Sequence, residues 1–270
     1  MNNALFTPKL REWLERSRAG DAERVPIRLN YIDTDTGDPR SCKHSLGTHA
    51  EDEAFHSWYN EGNLAAFRQW MYVSAKLQMH LLPGNCVHGY PCLRFWKALL
   101  SNRRELIEHV AWFPERYPLE MTDDFPWIFK TRQLPCHNNH QIWLHQLALR
   151  GAWEGLRREA GRALNEHPKS TKKYVLTDTR YLLALAERDL PTMQECLADL
   201  LKPKNRKARN DFPLREDLIS VDVLVLAKLA WLHGIEIDPQ SDYVPREWLP
   251  MTPNAEYIDP YDFMKTIQLP

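Results

Sequence analysis

The stretch LPCHNNHQIWLH, residues 134–145, gathers Cys136, His137, His140 and His145 into one short run. Side chains of these types ligate zinc, or act as nucleophile and general base, when their spacing lets them converge. Here the spacing works against convergence. Pro135 ends the preceding segment, Asn138 or Asn139 is placed to cap a helix beginning there, and His137 falls outside that helix. At about 100° per residue, His140 and His145 point about 140° apart around the axis, unlike the i, i+4 histidines of a zinc-protease helix. No Asp or Glu occurs between Asp124 and Glu154, so no sequence neighbour can orient a histidine or serve as a base. The stretch reads as a helix start. A histidine-dependent or metal-dependent hydrolase is the weakest of the functional readings.

Other chemistry-bearing runs meet similar objections. Asp33, Asp35 and Gly37 resemble the opening of a calcium loop, but Lys43 or His44 stands where its bidentate Glu belongs, so a plain turn is expected. KPKNRKARND, residues 202–211, concentrates cations after a helix, where they complement the terminal carbonyls. It lacks neighbouring aromatics for base stacking and reads as a solvated loop. No phosphate loop, G-x-S-x-G elbow, H-E-x-x-H motif or dinucleotide fingerprint occurs, so no catalytic, metal or cofactor-binding residue is assigned and no enzyme is expected.

Two runs suit recognition instead. The acid-free stretch around the histidines sets Lys130, Arg132 and Arg150 among tryptophans and phenylalanines, a combination fit for an acidic partner, although core aromatics with merely solvated charges are the preferred reading of it. AEYIDPYDF, residues 255–263, interleaves Glu256, Asp259 and Asp262 with Tyr257, Tyr261 and Phe263. Acidic groups on rigid aromatic supports can plug a basic cleft of another protein. The same run reads first as a tail docked on its own helices, with Pro260 fixing a turn, and the two roles are compatible. With Trp248 upstream, these residues plus Lys130 and Arg132 are the candidate partner contacts.

The elements that must position them are helices. In NLAAFRQWMYVSAKLQMHLLPG, Asn63 caps the start, Pro83-Gly84 closes the end, and Leu64, Phe67, Met71, Ser74 and Gln78 keep heptad spacing. Further helix pairs follow: one about a turn at Ser101-Asn102, one from about Asn139 to Glu166, and one from about Tyr174 to Leu201 hinged at Asp189-Leu190-Pro191. LALRGAWEGLRREAGRAL from Leu147 echoes LALAERDLPTMQECLADL from Leu183, an offset near that of helix-hairpin repeats. DLISVDVLVLAKLAWLHG is apolar nearly all round, so it belongs inside the packing, with Gly234 as its stop. Upstream, Ile27, Leu29 and Tyr31 alternate with polar residues and suggest one short strand or an extended arm within Arg24–Gly47. The reading is all-α: one domain over 1–270, with an N-terminal helix and arm (1–48), stacked antiparallel helix pairs of irregular, tetratricopeptide-like kind (49–234), and an irregular proline- and aromatic-rich tail (235–270).

Composition agrees. At 270 residues, 43% hydrophobic and ten of them tryptophan, the chain can bury a large core without disulfide or metal. A net charge of −1 gives no pull toward nucleic acid or anionic lipid. Five cysteines without a CxxC pair read as reduced thiols, and MNNALFTPKLREWLERS lacks the basic-then-apolar layout of a signal peptide, so a cytoplasmic protein without membrane span is expected.

The ending ISVDVLVLAKLAWLHGIEIDPQSDYVPREWL, Ile219–Leu249, resembles that of the immunity protein 49 family. The resemblance lies in Ser220-Val221-Asp222 entering a long apolar helix, then Gly234-Ile235, an acidic turn, and Tyr243-Val244-Pro245 before Leu249. It covers about an eighth of the chain and implies an all-helical bacterial protein, encoded beside a polymorphic toxin, that protects its producer by stoichiometric binding. No catalytic residue carries over. A tetratricopeptide-like scaffold for peptide motifs is the runner-up, and oligomeric state and toxin activity stay open.

Overall fold

The computed structural model describes residues 5–81, 95–116, 126–209 and 217–268, without the side chains of residues 126 and 127. These residues are helical and contain no strand, in agreement with an all-α fold. The chain forms two compact units: residues 1–87, 97–109 and 252–270 in the first, and 88–96 and 110–251 in the second.

The first unit opens with α1 (Pro8–Ala22), α2 (Val25–Asp33), α3 (Pro39–Tyr59) and α4 (Leu64–Leu81). Each start has a local cause. Thr7 and Asp38 accept hydrogen bonds from the backbone N–H groups of Leu10 and Ser41, and Pro8, Pro26 and Pro39 sit in first turns, where their lack of an N–H costs nothing. Asn63 accepts from the Ala66 N–H at 3.0 Å and starts α4. The α4 stop at Pro83-Gly84 lies outside the described residues. Helices α3 and α4 pack lengthwise through Leu46, Ala50, Phe55, Phe67, Met71 and Leu77, all at most 1% exposed. The two helices are also tied at Gly47, whose carbonyl accepts a hydrogen bond from Ser74 Oγ at 2.6 Å.

The expected extended arm is helical. Pro26 supplies the φ that a first helical turn needs, and Ile27 and Tyr31 lie one turn apart on a shared face, so their alternation with polar residues served a helix as well as a strand. That face points outward, with Ile27 55% and Tyr31 42% exposed. Beyond it Asp35 and Gly37 take positive φ in a tight turn.

The chain passes between the units within α5 (Trp96–Ser101) and α6 (Arg104–Trp112), whose corner is the left-handed Asn102 at φ 56°. The second unit then lays down α7 (Pro126–Arg132), α8 (Asn138–Leu149), α9 (Trp153–Glu166), α10 (Lys173–Glu187), α11 (Leu190–Leu200), α12 (Pro203–Lys207) and α13 (Val221–Leu232). Successive helices α8 to α11 pack against each other, and α13 packs on α8, α10 and α11. The α8–α9 and α10–α11 turns close alike: left-handed Gly151 and Arg188 let the next N–H reach back, Ala152 to Leu147 and Asp189 to Ala184, each at 2.9 Å. Ala148, Leu149 and Ala160, and their sequence counterparts Ala184, Leu185 and Cys196, are all buried.

From Val221 to Ala230 every residue of α13 is buried, as its all-round apolar sequence requires. Lys228 is fully enclosed and donates from Nζ to the carbonyls of Trp248, Leu249 and Pro250 at 3.0, 3.4 and 3.5 Å. Tyr181 Oη donates to the Leu226 carbonyl at 2.9 Å. The Ser220 N–H bonds the Tyr243 carbonyl at 2.9 Å, which brings the Ser-Val-Asp and Tyr-Val-Pro pieces of the ending together. The cationic run 202–211 is not a solvated loop where it is described. It forms α12, and Arg206 and Arg209 are buried because their charges are met internally.

Candidate partner-binding surface

The tail of the first unit runs as an extended strap from Thr252 into a 3-10 turn at Asp262–Thr266. An extended chain sends successive side chains to opposite sides, and the burial pattern follows that period. Tyr257, Asp259 and Tyr261 turn inward, whereas Glu256, Ile258, Pro260 and Asp262 turn outward. Ile258 is 67% exposed, a conspicuous apolar side chain on the outer row.

The inner row is fixed by α4. Tyr72 Oη donates to Asp259 Oδ1 at 2.8 Å, and Lys76 Nζ reaches Oδ2 of the same carboxylate at 2.7 Å. The Gln69 amide donates to the Ile258 carbonyl at 2.6 Å and accepts from its N–H at 3.0 Å. Asn254 donates to the Ala65 carbonyl at 2.8 Å, and Asn102 donates to the Thr252 carbonyl at 3.0 Å. Tyr257 lies against Tyr72 with ring centroids 5.0 Å apart, donates its hydroxyl to the Ser101 carbonyl, and carries Arg103 over its face at 5.4 Å. Tyr261 stacks on Phe263 at 5.9 Å, and Lys43 stands over the Phe263 ring. Burial first, then the hydrogen bond to Asp259 and its charge, raises the Tyr72 pKa, and burial pushes that of Tyr261 up to about 12, so both stay neutral. Asp262 is solvated, and its hydrogen bond from Lys265 holds its carboxyl below the usual range.

The other candidates belong to the second unit. Lys130 is exposed on α7. Trp248 is 1% exposed and offers a partner no surface, because it forms core beneath the 3-10 turn Arg246–Trp248. Arg132 is likewise buried: Glu115 folds back to pair with Arg132 at 2.9 Å and with Arg150 at 2.6 Å, so the stretch that lacks acids in sequence acquires one in space. What the sequence missed is the receptor side of the strap. Gln69, Tyr72 and Lys76 sit off the heptad stripe, and a lysine and a tyrosine buried on the outward face of an amphipathic helix become legible only once something covers that face.

The histidine run resolves into separate structural roles. His137 caps α8 itself, its Nδ1 accepting from the Asn139 N–H at 3.1 Å, which displaces Asn138 and Asn139 from that role. His140 is fully buried against Trp143, and burial with the Arg162 charge pushes its pKa down to about 4. His145 stacks on Phe95 at 5.6 Å and donates from Nδ1 to the Gln141 carbonyl at 2.7 Å. Among the described residues no three His, Cys, Asp or Glu side chains assemble as a metal site would need. A cleft of about 480 Å³ opens beside the helix start, lined in part by Cys136, His137, Gln141, Thr171 and Asp178. Burial raises the Cys136 thiol pKa, the reverse of what a nucleophile requires, and Asp178 is committed to Arg209 through two bonds of 2.8 and 2.6 Å. Arg209 also pairs with Asp222 at 2.7 Å, closing a buried charge network under α13.

Fold and surface together define an all-helical protein that carries an acidic, aromatic strap clipped across one of its helices. No helix of the described residues is long and apolar enough to cross a membrane. The pattern of the family called immunity protein 49 matches residues 61–248, and the chain belongs to that family. No match was found among the curated proteins or among the solved structures.

Proposed function

We propose that this protein is the cytoplasmic immunity partner of a bacterial toxin and neutralises it by tight one-to-one binding that occludes the toxin's active cleft. Family membership supports the immunity role. The observation that carries the binding surface is the two-sided strap: an inner row tied to α4 and an outer row of Glu256, Ile258 and Asp262 held toward solvent. A pre-ordered acidic row with one apolar anchor loses little entropy on association and suits a basic, substrate-binding cleft. Binding alone suffices for protection, so the chain needs no catalytic group of its own.

Co-expression with the toxin encoded beside this gene tests the reading. Wild type should restore growth and co-purify in equal amounts with the toxin. Glu256→Lys combined with Ile258→Lys should weaken binding at least about tenfold, the loss of roughly 1.4 kcal/mol, while leaving the melting curve unchanged. Equal protection by wild type and the double variant would place the contact elsewhere. Failure of wild type to bind the toxin would end the proposal.

A further inference from the structure

The face of α4 beneath the strap has the parts of a peptide receptor. Ala65, Gln69, Tyr72 and Lys76 recur at the alternating spacing that lines one side of a helix, and each contacts the strap or its neighbour in register. Gln69 reads main chain only, gripping both the N–H and the carbonyl of Ile258, so it recognises an extended backbone whatever side chain stands there. Tyr72 and Lys76 form a two-point socket for one carboxylate, each taking one oxygen of Asp259. On either side an aromatic ring is taken out of water, Tyr257 between Tyr72 and Arg103, and Tyr261 at 7% exposure, stacked on the strap's own Phe263. Main-chain grip, acid socket and flanking aromatic rings are the elements by which grooves bind extended segments. The helix that supplies the grip lies within the family-matched residues 61–248, whereas the strap that fills it lies outside them.

The geometry points to a peptide-binding groove on α4, occupied in cis by residues 257–261, whose ligand in trans is an extended segment of a partner protein carrying the pattern Tyr-x-Asp-x-Tyr. The strap is then a resident competitor: it keeps the groove closed until a partner segment of the same chemistry replaces it. The inference stands apart from toxin neutralisation, because its test uses neither toxin nor cells.

The probe is a fluorescein-labelled synthetic peptide of residues 252–268, titrated with the full chain. Wild type, its groove filled, should bind weakly. Asp259→Lys repels the strap from Lys76 and should bind the peptide at least tenfold tighter. Ile258→Pro removes the N–H that Gln69 accepts and serves as the milder variant should the charge reversal unfold the unit. Peptide whose own Asp259 is replaced by Lys should fail to bind either variant, and adding Gln69→Ala to either should cancel the gain. Peptide affinity equal in wild type and in both strap variants, or undiminished when the peptide loses its carboxylate, would overturn the groove. So would a dimer of the strap variant that forms without peptide and excludes it, since the groove would then serve a second copy.

Discussion

The two units show two ways of holding polar groups away from bulk water. The second unit encloses several of them fully: Arg209 between Asp178 and Asp222, Lys228 under three carbonyls, and His140 against Trp143. Its described helices from α8 onward lie within or close to the family-matched residues. The first unit uses polar groups at a half-buried seam, where Lys76, Tyr72 and Gln69 hold a strap that remains partly in water. Enclosed charge makes a unit intolerant of change, because losing one partner strands the other without solvent. Charge at a seam makes an attachment that is specific yet reversible, because water stands ready to replace each bond.

The largest expected effect tests the first half of that contrast. Arg209→Ala leaves Asp178 and Asp222 facing each other in the core and should cost about 3–5 kcal/mol in a urea unfolding experiment. A cost below about 1 kcal/mol would show that the network is solvated and that the contrast is false.

Next comes the acid limb of the stability curve. The folded-state pKa of His140 is about 4, against the ordinary 6.5, so between those values the unfolded chain binds the extra proton and stability rises with pH. Lowering the pH from about 7 to about 4 should cost roughly 2–4 kcal/mol through this residue, and His140→Phe should flatten that part of the curve. An unchanged pH slope in the variant would assign the acid sensitivity to other groups.

The smallest effect belongs to the seam. Asp259→Ala should lower the stability of the first unit by about 1–2 kcal/mol and should sharply raise amide exchange along residues 254–263, with little change in the second unit. Exchange that rises equally everywhere would mean that the strap is part of the cooperative core and not a separable attachment.

The helical architecture was readable from residue types because its signals are local. Asn63, Asp189 and Gly234 stand where caps belong, and α13, apolar on nearly every side despite Asp222 and Lys228, belongs inside the packing. The histidine run was legible as a helix start for the same reason, although the cap proved to be His137 itself. Long-range pairings left no such trace. Glu115 meets Arg132 and Arg150 only in the folded chain, and Arg206 and Arg209 read as solvent-facing until Tyr243, Asp178 and Asp222 are brought to them. The acidic, aromatic tail stands out by composition, but which of its residues face inward depends on α4, and Trp248 was drawn into the core by packing that composition cannot reveal.

Lys228 sets a practical limit on engineering. A designer who trims this protein from its C-terminal side can remove the strap while the amine keeps all three of its oxygen neighbours, but a cut before Pro250 begins to strip them from an amine sealed inside the helix stack. Fusion tags and interdomain linkers should therefore be joined beyond that proline, where the chain has already closed its lid on the charge.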